Sequence, residues 1–123
     1  MGNKIVVVDD EEDNIELARA VLSAKGFEVI TFNNGKTAIG YLEGCSELPE
    51  LLILDMRMPE MSGIDVCEEL RKNPKFGRLK IVFFTASSDL DGELLRRFSV
   101  LGFIYKPFDI KKLVEQVRKY IQM

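Results

Sequence analysis

The sequence contains no histidine and no tryptophan, and its only cysteines are Cys45 and Cys67. Without histidine, Ser-His-Asp and Cys-His nucleophiles are excluded within this chain, so acid–base or metal chemistry must rely on carboxylates, lysine, tyrosine or hydroxyl groups. Two distant cysteines do not match a zinc or iron–sulfur site, and we expect both to be reduced thiols. Cys67 shares a predicted apolar helix face with Ile64 and Leu70, which favours a role in core packing.

Long apolar segments and an excess of positive charge are also missing. No apolar run approaches the roughly 20 residues that span a bilayer, and the N-terminus leads into a strand pattern without room for a signal peptide, so we expect a cytoplasmic protein without membrane contact. A formal net charge of -3 argues against direct binding of nucleic acid, which normally requires a basic surface. The length of 123 residues is typical of one compact domain, and we predict a single domain over residues 1–123.

Two periodicities alternate along the chain. Short apolar runs, rich in β-branched residues, predict strands at 5–8, 29–32, 51–54, 81–84 and 103–105. Each run is followed by apolar residues three or four positions apart, which predicts a helix after every strand. The predicted inner faces of these helices are Ile15, Ala18, Val21 and Leu22; Ala38, Ile39 and Leu42; Ile64, Cys67 and Leu70; Leu90, Leu94 and Phe98; and Ile110, Leu113, Val114, Val117 and Ile121.

Turn and capping residues mark the predicted boundaries of these elements. Glycine favours the left-handed position after a helix, and a short polar side chain favours the position before one. Proline and the residue before it end a helix. On these grounds the boundaries lie at Gly26, the turn 33–35, Gly44, the loop 58–63, Asn73-Pro74, Ser88 or Asp89, and Asp109.

The alternation of five strands with five helices predicts a doubly wound, five-stranded parallel sheet, because parallel strands need right-handed helical crossovers. The continuous apolar run 51–54 is typical of a central strand covered on both faces. Such sheets bind ligands beyond the carboxyl ends of their strands. The polar residues that follow or end the predicted strands there are Asp9, Asp10, Asp55, Thr85 and Lys106.

These side chains could form a phosphoryl-transfer site. Three converging carboxylates repel one another unless a cation offsets their charge, and an all-oxygen ligand set suits Mg²⁺. Asp55 could then act as a nucleophile towards a phosphoryl group, with Lys106 supplying positive charge and the Thr85 hydroxyl donating a hydrogen bond. Considered singly, the acidic pair after the first strand is equally compatible with a helix cap or solvated turn. For Lys106 the alternative is a solvated lysine at the end of a strand, which is less favoured.

Four segments follow the predicted strands in order: Val8-Asp9-Asp10, Asp55-Met56-Arg57-Met58-Pro59-Glu60-Met61-Ser62-Gly63, Thr85-Ala86 and Lys106-Pro107-Phe108. Together they resemble the response-regulator receiver family of two-component systems, and the resemblance covers the whole chain. It implies a flavodoxin-like, CheY-like (βα)5 fold with strand order 2-1-3-4-5. It also implies that Asp55 accepts the phosphoryl group and that Asp9, Asp10, Asp55 and the backbone carbonyl of Arg57 hold Mg²⁺ or Mn²⁺.

The same resemblance implies how the domain signals. The donor would be a phosphohistidine of a sensor histidine kinase or histidine phosphotransfer protein, and the phosphorylated domain would control an output domain or partner protein. Thr85 would move towards the phosphoryl group and Phe103 would respond, although a core aromatic is an equally good interpretation of Phe103. Lys106-Pro107 resembles the cis peptide bond of the family. Arg57 and Ser87 occupy positions that resemble sites tuning phosphoryl lifetime.

Some features depart from the family, and other functions compete. Residues 99–102 lack the usual Gly-Ala start and the interval from Thr85 to Lys106 is slightly short, so we expect differences in helix four or its exit loop. The main alternative is a receiver-like module that binds proteins without phosphoryl transfer. An aspartate-nucleophile phosphatase is disfavoured because Arg57 replaces a second aspartate, and a Rossmann nucleotide site because no glycine-rich loop follows the first strand.

Overall fold

The computed structural model describes residues 3–86, 92–106 and 109–123. Within these ranges the chain alternates strands and helices, and all strand pairs are parallel in the order β2-β1-β3-β4-β5. The predicted fold class and strand order are therefore confirmed. The elements are β1 (Lys4–Val8), α1 (Glu12–Ala24), β2 (Glu28–Phe32), α2 (Gly35–Glu43), β3 (Leu51–Asp55), α3 (Gly63–Arg71), a 3-10 turn (Pro74–Phe76), β4 (Ile81–Thr85), α4 (Gly92–Phe98), β5 (Gly102–Tyr105) and α5 (Ile110–Ile121).

Each face of the sheet carries its own apolar core. Every residue of β3 and β4 is buried, as expected for central strands covered on both sides. Alternate strand residues point to opposite faces, so Leu54 and Phe83 join the cluster with α2, α3 and α4, whereas Ile53 and Phe84 join the cluster with α1 and α5. The strands that end at the candidate site are thus packed on both faces.

The helix boundaries follow the local capping chemistry. Gly26 lies just beyond α1 with φ +93, a left-handed conformation that favours glycine, as predicted. Asp109 accepts a hydrogen bond from the Lys112 N–H and caps α5, also as predicted. Gly35, predicted as part of a turn, is instead the first residue of α2, because the Asn34 side chain caps that helix.

The inner face of α5 differs from the prediction at its two ends. Ile110 is 58% exposed and does not belong to the core. It is the first residue of the helix, and the buried positions begin one turn later at Leu113. Tyr120, which the sequence analysis did not assign, is only 6% exposed and completes the buried face. Periodicity identifies the helix face but not how far the packing extends along it.

Arg71, the last residue of α3, holds several segments together. Its guanidinium donates hydrogen bonds to the carbonyl oxygens of Phe98 and Ser99 at the end of α4, at 2.8 and 3.0 Å. It also donates to the carbonyl oxygens of Phe76 and Leu79, which precede β4. Ser99 directly follows α4 in a left-handed conformation with φ 55, and it lies within the segment 99–102 for which the sequence predicts differences from the family.

The two thiols lie in different environments, and both are free. Cys67 is fully buried, and desolvation raises the pKa of its thiol to about 12, whereas Cys45 is half-buried. Among the described residues, no helix has the length and apolar character needed to cross a membrane. Ser87, Ser88, Asp89, Leu90 and Pro107, all assigned roles from the sequence, lie outside the described residues.

Candidate functional site

The strand register brings the predicted site residues to one edge of the sheet. Asp9 directly follows β1, Asp55 is the last residue of β3 and Thr85 is the last residue of β4. β1 and β3 are neighbours in register, with Val8 opposite Leu54, so the two carboxylates lie side by side. Lys106 directly follows β5, and its N–H donates a hydrogen bond to the Thr85 carbonyl oxygen at 2.7 Å.

Three carboxylates form a compact acidic cluster at this edge. Asp9, Asp10 and Asp55 each offer an oxygen, and these oxygens lie within 4.8 Å of one another. Asp9 is fully buried and Asp55 is 5% exposed, while Asp10 is exposed to solvent. Only the outermost carboxylate is therefore well hydrated, and the inner two depend on the protein for compensation.

The main chain satisfies one oxygen of each inner carboxylate. The N–H groups of Glu11 and Arg57 donate to Asp9 Oδ1 and Asp55 Oδ1, at 3.0 and 3.2 Å. Asp9 Oδ2 is buried without a hydrogen bond of good geometry, although Lys106 Nζ lies 2.8 Å away as an ion-pair partner. The second oxygen of Asp9 therefore retains coordination capacity towards a cation.

Lys106 brings the compensating positive charge. Its Nζ lies 2.8 Å from Asp9 Oδ2 and 3.3 Å from Asp55 Oδ2, and its side chain is only 12% exposed. Burial opposes the charged ammonium group, but the two carboxylates outweigh burial and raise the pKa of Lys106. A weaker contact of 3.8 Å reaches Glu11 Oε1. Lys106 thus remains a cation at neutral pH.

One cation does not neutralise the whole cluster. Desolvation, followed by repulsion from Asp9, raises the pKa of Asp55 from 3.8 to about 7, and Lys106 offsets this only in part. Without further positive charge, Asp55 therefore keeps its proton to a higher pH than an ordinary carboxyl group does. A bound cation would favour the carboxylate form, which is the form able to act as a nucleophile.

A cleft opens above these groups. Thr85 lies at its wall and is 3% exposed, and Arg57 is an exposed residue at its rim. The sequence analysis did not assign Glu11 and Ala86 to the site, although both directly follow residues that it did assign. The cleft is lined by Glu11, Asp55, Arg57, Thr85, Ala86 and Lys106.

Phe103 does not line this cleft. It is half-buried on β5, and its ring stacks on Phe83 with the centroids 6.0 Å apart and lies 6.3 Å from the ring of Tyr105. Phe83 precedes Thr85 by two residues on β4. The structure therefore brings Asp9, Asp10, Asp55, Thr85 and Lys106 together, whereas Phe103 lies outside this group and packs on Phe83.

The doubly wound parallel sheet, with acidic, hydroxyl and ammonium groups at its carboxyl edge, defines the class of α/β domains that bind a charged ligand at that edge. The family model for the response regulator receiver domain matches residues 5–118. The chain belongs to the response regulator receiver family of two-component systems.

Relatives of known identity resemble the chain over nearly its whole length. The phosphate regulon transcriptional regulatory protein PhoB of Rhizobium meliloti is 38% identical over 97% of this chain, which spans 52% of that protein. The polar-differentiation response regulator DivK of Brucella anthropi is 27% identical, and 98% of each protein is covered. A putative response regulator from Chloroflexus aurantiacus has a similar structure, with a TM-score of 0.87 at 26% identity and complete coverage of both chains.

The relatives differ in length. The chain spans about half of the PhoB relative and about a quarter of the response regulator PleD of Caulobacter vibrioides, to which it is 36% identical.

Proposed function

We propose that the chain is a phosphorylation-dependent switch that accepts a phosphoryl group on Asp55 from a phosphohistidine of a sensor histidine kinase or histidine phosphotransfer protein. The observation that carries the proposal is the position of Lys106 Nζ, which lies 3.3 Å from Asp55 Oδ2 at the edge of a cluster of three carboxylates. A nucleophile, a fixed cation and further anionic ligands are the parts that phosphoryl transfer requires.

The donor groups fit Mg²⁺ or Mn²⁺. Asp9, Asp10 and Asp55 would hold the ion, with the carbonyl oxygen of Arg57 as a further ligand. All of these donors are oxygen atoms, which hard divalent cations prefer, and Asp9 Oδ2 is a buried oxygen without a hydrogen bond. When bound, the cation offsets negative charge on the phosphoryl oxygens.

In the transfer step an Asp55 carboxylate oxygen attacks phosphorus. The new bond is an acyl phosphate, the phosphorus–nitrogen bond of the donor breaks, and the imidazole leaves with the bonding electrons and takes up a proton. Lys106 counters the charge of a phosphoryl oxygen, and the Thr85 hydroxyl donates a hydrogen bond to another. Hydrolysis of the acyl phosphate by water would regenerate Asp55 and release inorganic phosphate.

The signalling step would involve Thr85 and Phe103. A shift of Thr85 towards the phosphoryl group changes the space available to Phe103, which packs against the same strand through Phe83. An output domain or partner protein would sense this change. We also propose that residues 1–123 act as one cytoplasmic domain.

Intact mass spectrometry after incubation with acetyl phosphate tests the proposal. We expect a metal-dependent addition of one phosphoryl group that Asp55→Asn abolishes and Asp13→Asn, an exposed control in the first turn of α1, retains. No addition to the unmodified chain would favour the alternative, a receiver-like module that binds proteins without phosphoryl transfer.

A further inference from the structure

The final turn of α5 contacts β5 through a buried hydroxyl group that phosphoryl transfer does not use. Tyr120 is 6% exposed, and its hydroxyl donates a hydrogen bond to the carbonyl oxygen of Phe103 at 3.1 Å. Burial raises the pKa of this hydroxyl, so it stays protonated and remains a donor at neutral pH. The last helix of the described chain is thereby bonded to the main chain of the residue proposed to respond to phosphorylation.

Gly102 makes this contact possible. A Cβ atom at residue 102 would overlap the Tyr120 hydroxyl and lie 2.9 Å from two of its ring carbons, so a side chain there would force the tyrosine to shift. The tyrosine therefore occupies the space that a side chain on β5 would take. The position of the Tyr120 ring therefore depends on the absence of a side chain at Gly102.

Phe103 is consequently contacted from both sides of the sheet. Its ring packs in the cluster that includes Phe83 and the helices α2, α3 and α4, whereas Tyr120 belongs to the cluster formed with α1 and α5. The ring of Phe103 packs on Phe83 of β4, near Thr85, and its carbonyl oxygen accepts a hydrogen bond from Tyr120 of α5. A movement of this residue changes packing on one face and a hydrogen bond on the other.

We infer that Tyr120 is a positioning residue that couples Phe103 on β5 to the C-terminal turn of α5, so that a rearrangement driven from Asp55 reaches the end of that helix. The inference rests on the proposed function, since the signal originates in phosphorylation of Asp55. Several relatives are longer than this chain. Through the end of α5, a receiver domain could transmit the conformational change to a segment that follows it.

Amide hydrogen exchange of α5, followed by mass spectrometry with and without acetyl phosphate and Mg²⁺, tests the coupling. In the unmodified chain we expect phosphorylation to speed exchange in the last turn by about fivefold, the factor that corresponds to one neutral hydrogen bond. In Tyr120→Phe the last turn should exchange at the faster rate beforehand and respond no further. Tyr105→Phe, which alters an exposed tyrosine on β5, should retain the response.

Gly102→Ala provides an independent variant. Its methyl group would displace the Tyr120 hydroxyl, so it should abolish the response as Tyr120→Phe does, and the double variant should behave like either single variant. Phosphorylation measured by intact mass in each variant verifies that the site is folded.

Two negative results are distinguishable. If the unmodified chain gains no phosphoryl group, the proposed function itself fails, and the inference fails with it. If the chain is phosphorylated but exchange in α5 does not change, or changes equally in Tyr120→Phe, the inference is wrong and the proposed function stands.

Discussion

The surroundings of Asp55 disfavour the ionised form of its carboxyl group. Burial and the neighbouring Asp9 raise the pKa of Asp55 from 3.8 to about 7. Between these values the folded protein binds more protons than the unfolded chain, so the free energy of unfolding falls as pH rises. The pKa of Lys106 is also raised, from 10.5, but its contribution is fully present throughout this window because it is lost only at higher pH.

We therefore predict that the metal-free protein is less stable at about pH 8 than at about pH 5, by roughly 1 kcal/mol or more. Asp55→Asn removes the titrating group, so most of this decrease should disappear in the variant. Urea denaturation in the presence of a chelator measures the free energy of unfolding of both proteins at the two pH values. An equal decrease in the two proteins would assign the pH dependence to other groups.

The individual site residues were predictable from the sequence because each one ends or follows a strand. Lys106 and Asp55 converge simply because parallel strands present their carboxyl ends at one edge. The ion pair of Lys106 with Asp9, shorter than that with Asp55, was not predictable. It depends on side-chain packing around a buried carboxylate, which leaves no periodic signal in the sequence.

At the scale of elements, Arg71 links the end of α3 to the segments around α4 and β4. Its guanidinium serves four main-chain carbonyl oxygens, two at the end of α4 and two before β4. Phe98 and Phe76 are the last residues of α4 and of the 3-10 turn, where a helix leaves its carbonyl groups without helical partners, and Ser99 and Leu79 lie in the loops that follow. The end of α4 is thus fixed by α3.

Arg71→Met keeps the aliphatic stem but removes every donor, and we predict a loss of about 3 kcal/mol in the free energy of unfolding. Lys72→Met is the matched control, since the Lys72 side chain is 67% exposed, and it should cost less than about 0.5 kcal/mol. Urea denaturation compares them. Similar effects of the two substitutions would mean that the carbonyl contacts contribute little.

The elements themselves were largely predictable, and the errors lie at their ends. Alternating periods identified every strand within the described ranges, but the same pattern assigned Ile110 to the core and overlooked Tyr120. Tyr120 follows Val117 by three residues and fits the helical period, but the burial of so large a side chain depends on Gly102, eighteen positions earlier, where the absence of a side chain creates the space. A local pattern cannot report such a pairing between distant elements.

At the scale of the whole molecule, the two edges of the sheet have opposite electrostatic roles. The carboxyl edge concentrates acidic groups. Towards the other edge, basic side chains donate to carbonyl oxygens at or beside the ends of helices: Lys75 to Glu43 of α2, Arg71 to Phe98 of α4, and Lys80 to Ile121 of α5. These contacts favourably oppose the helix dipoles. Charge is therefore better compensated at the edge opposite the candidate site than at the acidic edge.

Binding of a divalent cation at the acidic edge should therefore stabilise the whole fold. At about 100 times its dissociation constant, Mg²⁺ should raise the free energy of unfolding by about 2.7 kcal/mol. Asp10→Asn removes an exposed ligand without disturbing the core and should reduce this increment, whereas Asp13→Asn should preserve it. Thermal unfolding with and without Mg²⁺ measures the increment within each protein. An unchanged increment in Asp10→Asn would exclude that residue as a ligand.

The unequal burial of the two thiols gives the chain a built-in attachment point for a spectroscopic probe. Cys67 is fully buried and its thiol is protonated at neutral pH, so a maleimide reagent should modify Cys45 alone while the fold is intact. Cys45 lies just beyond α2, at the end of the helix remote from its N-cap residue Asn34. A fluorophore there could follow the unphosphorylated and phosphorylated states without any substitution in the sequence.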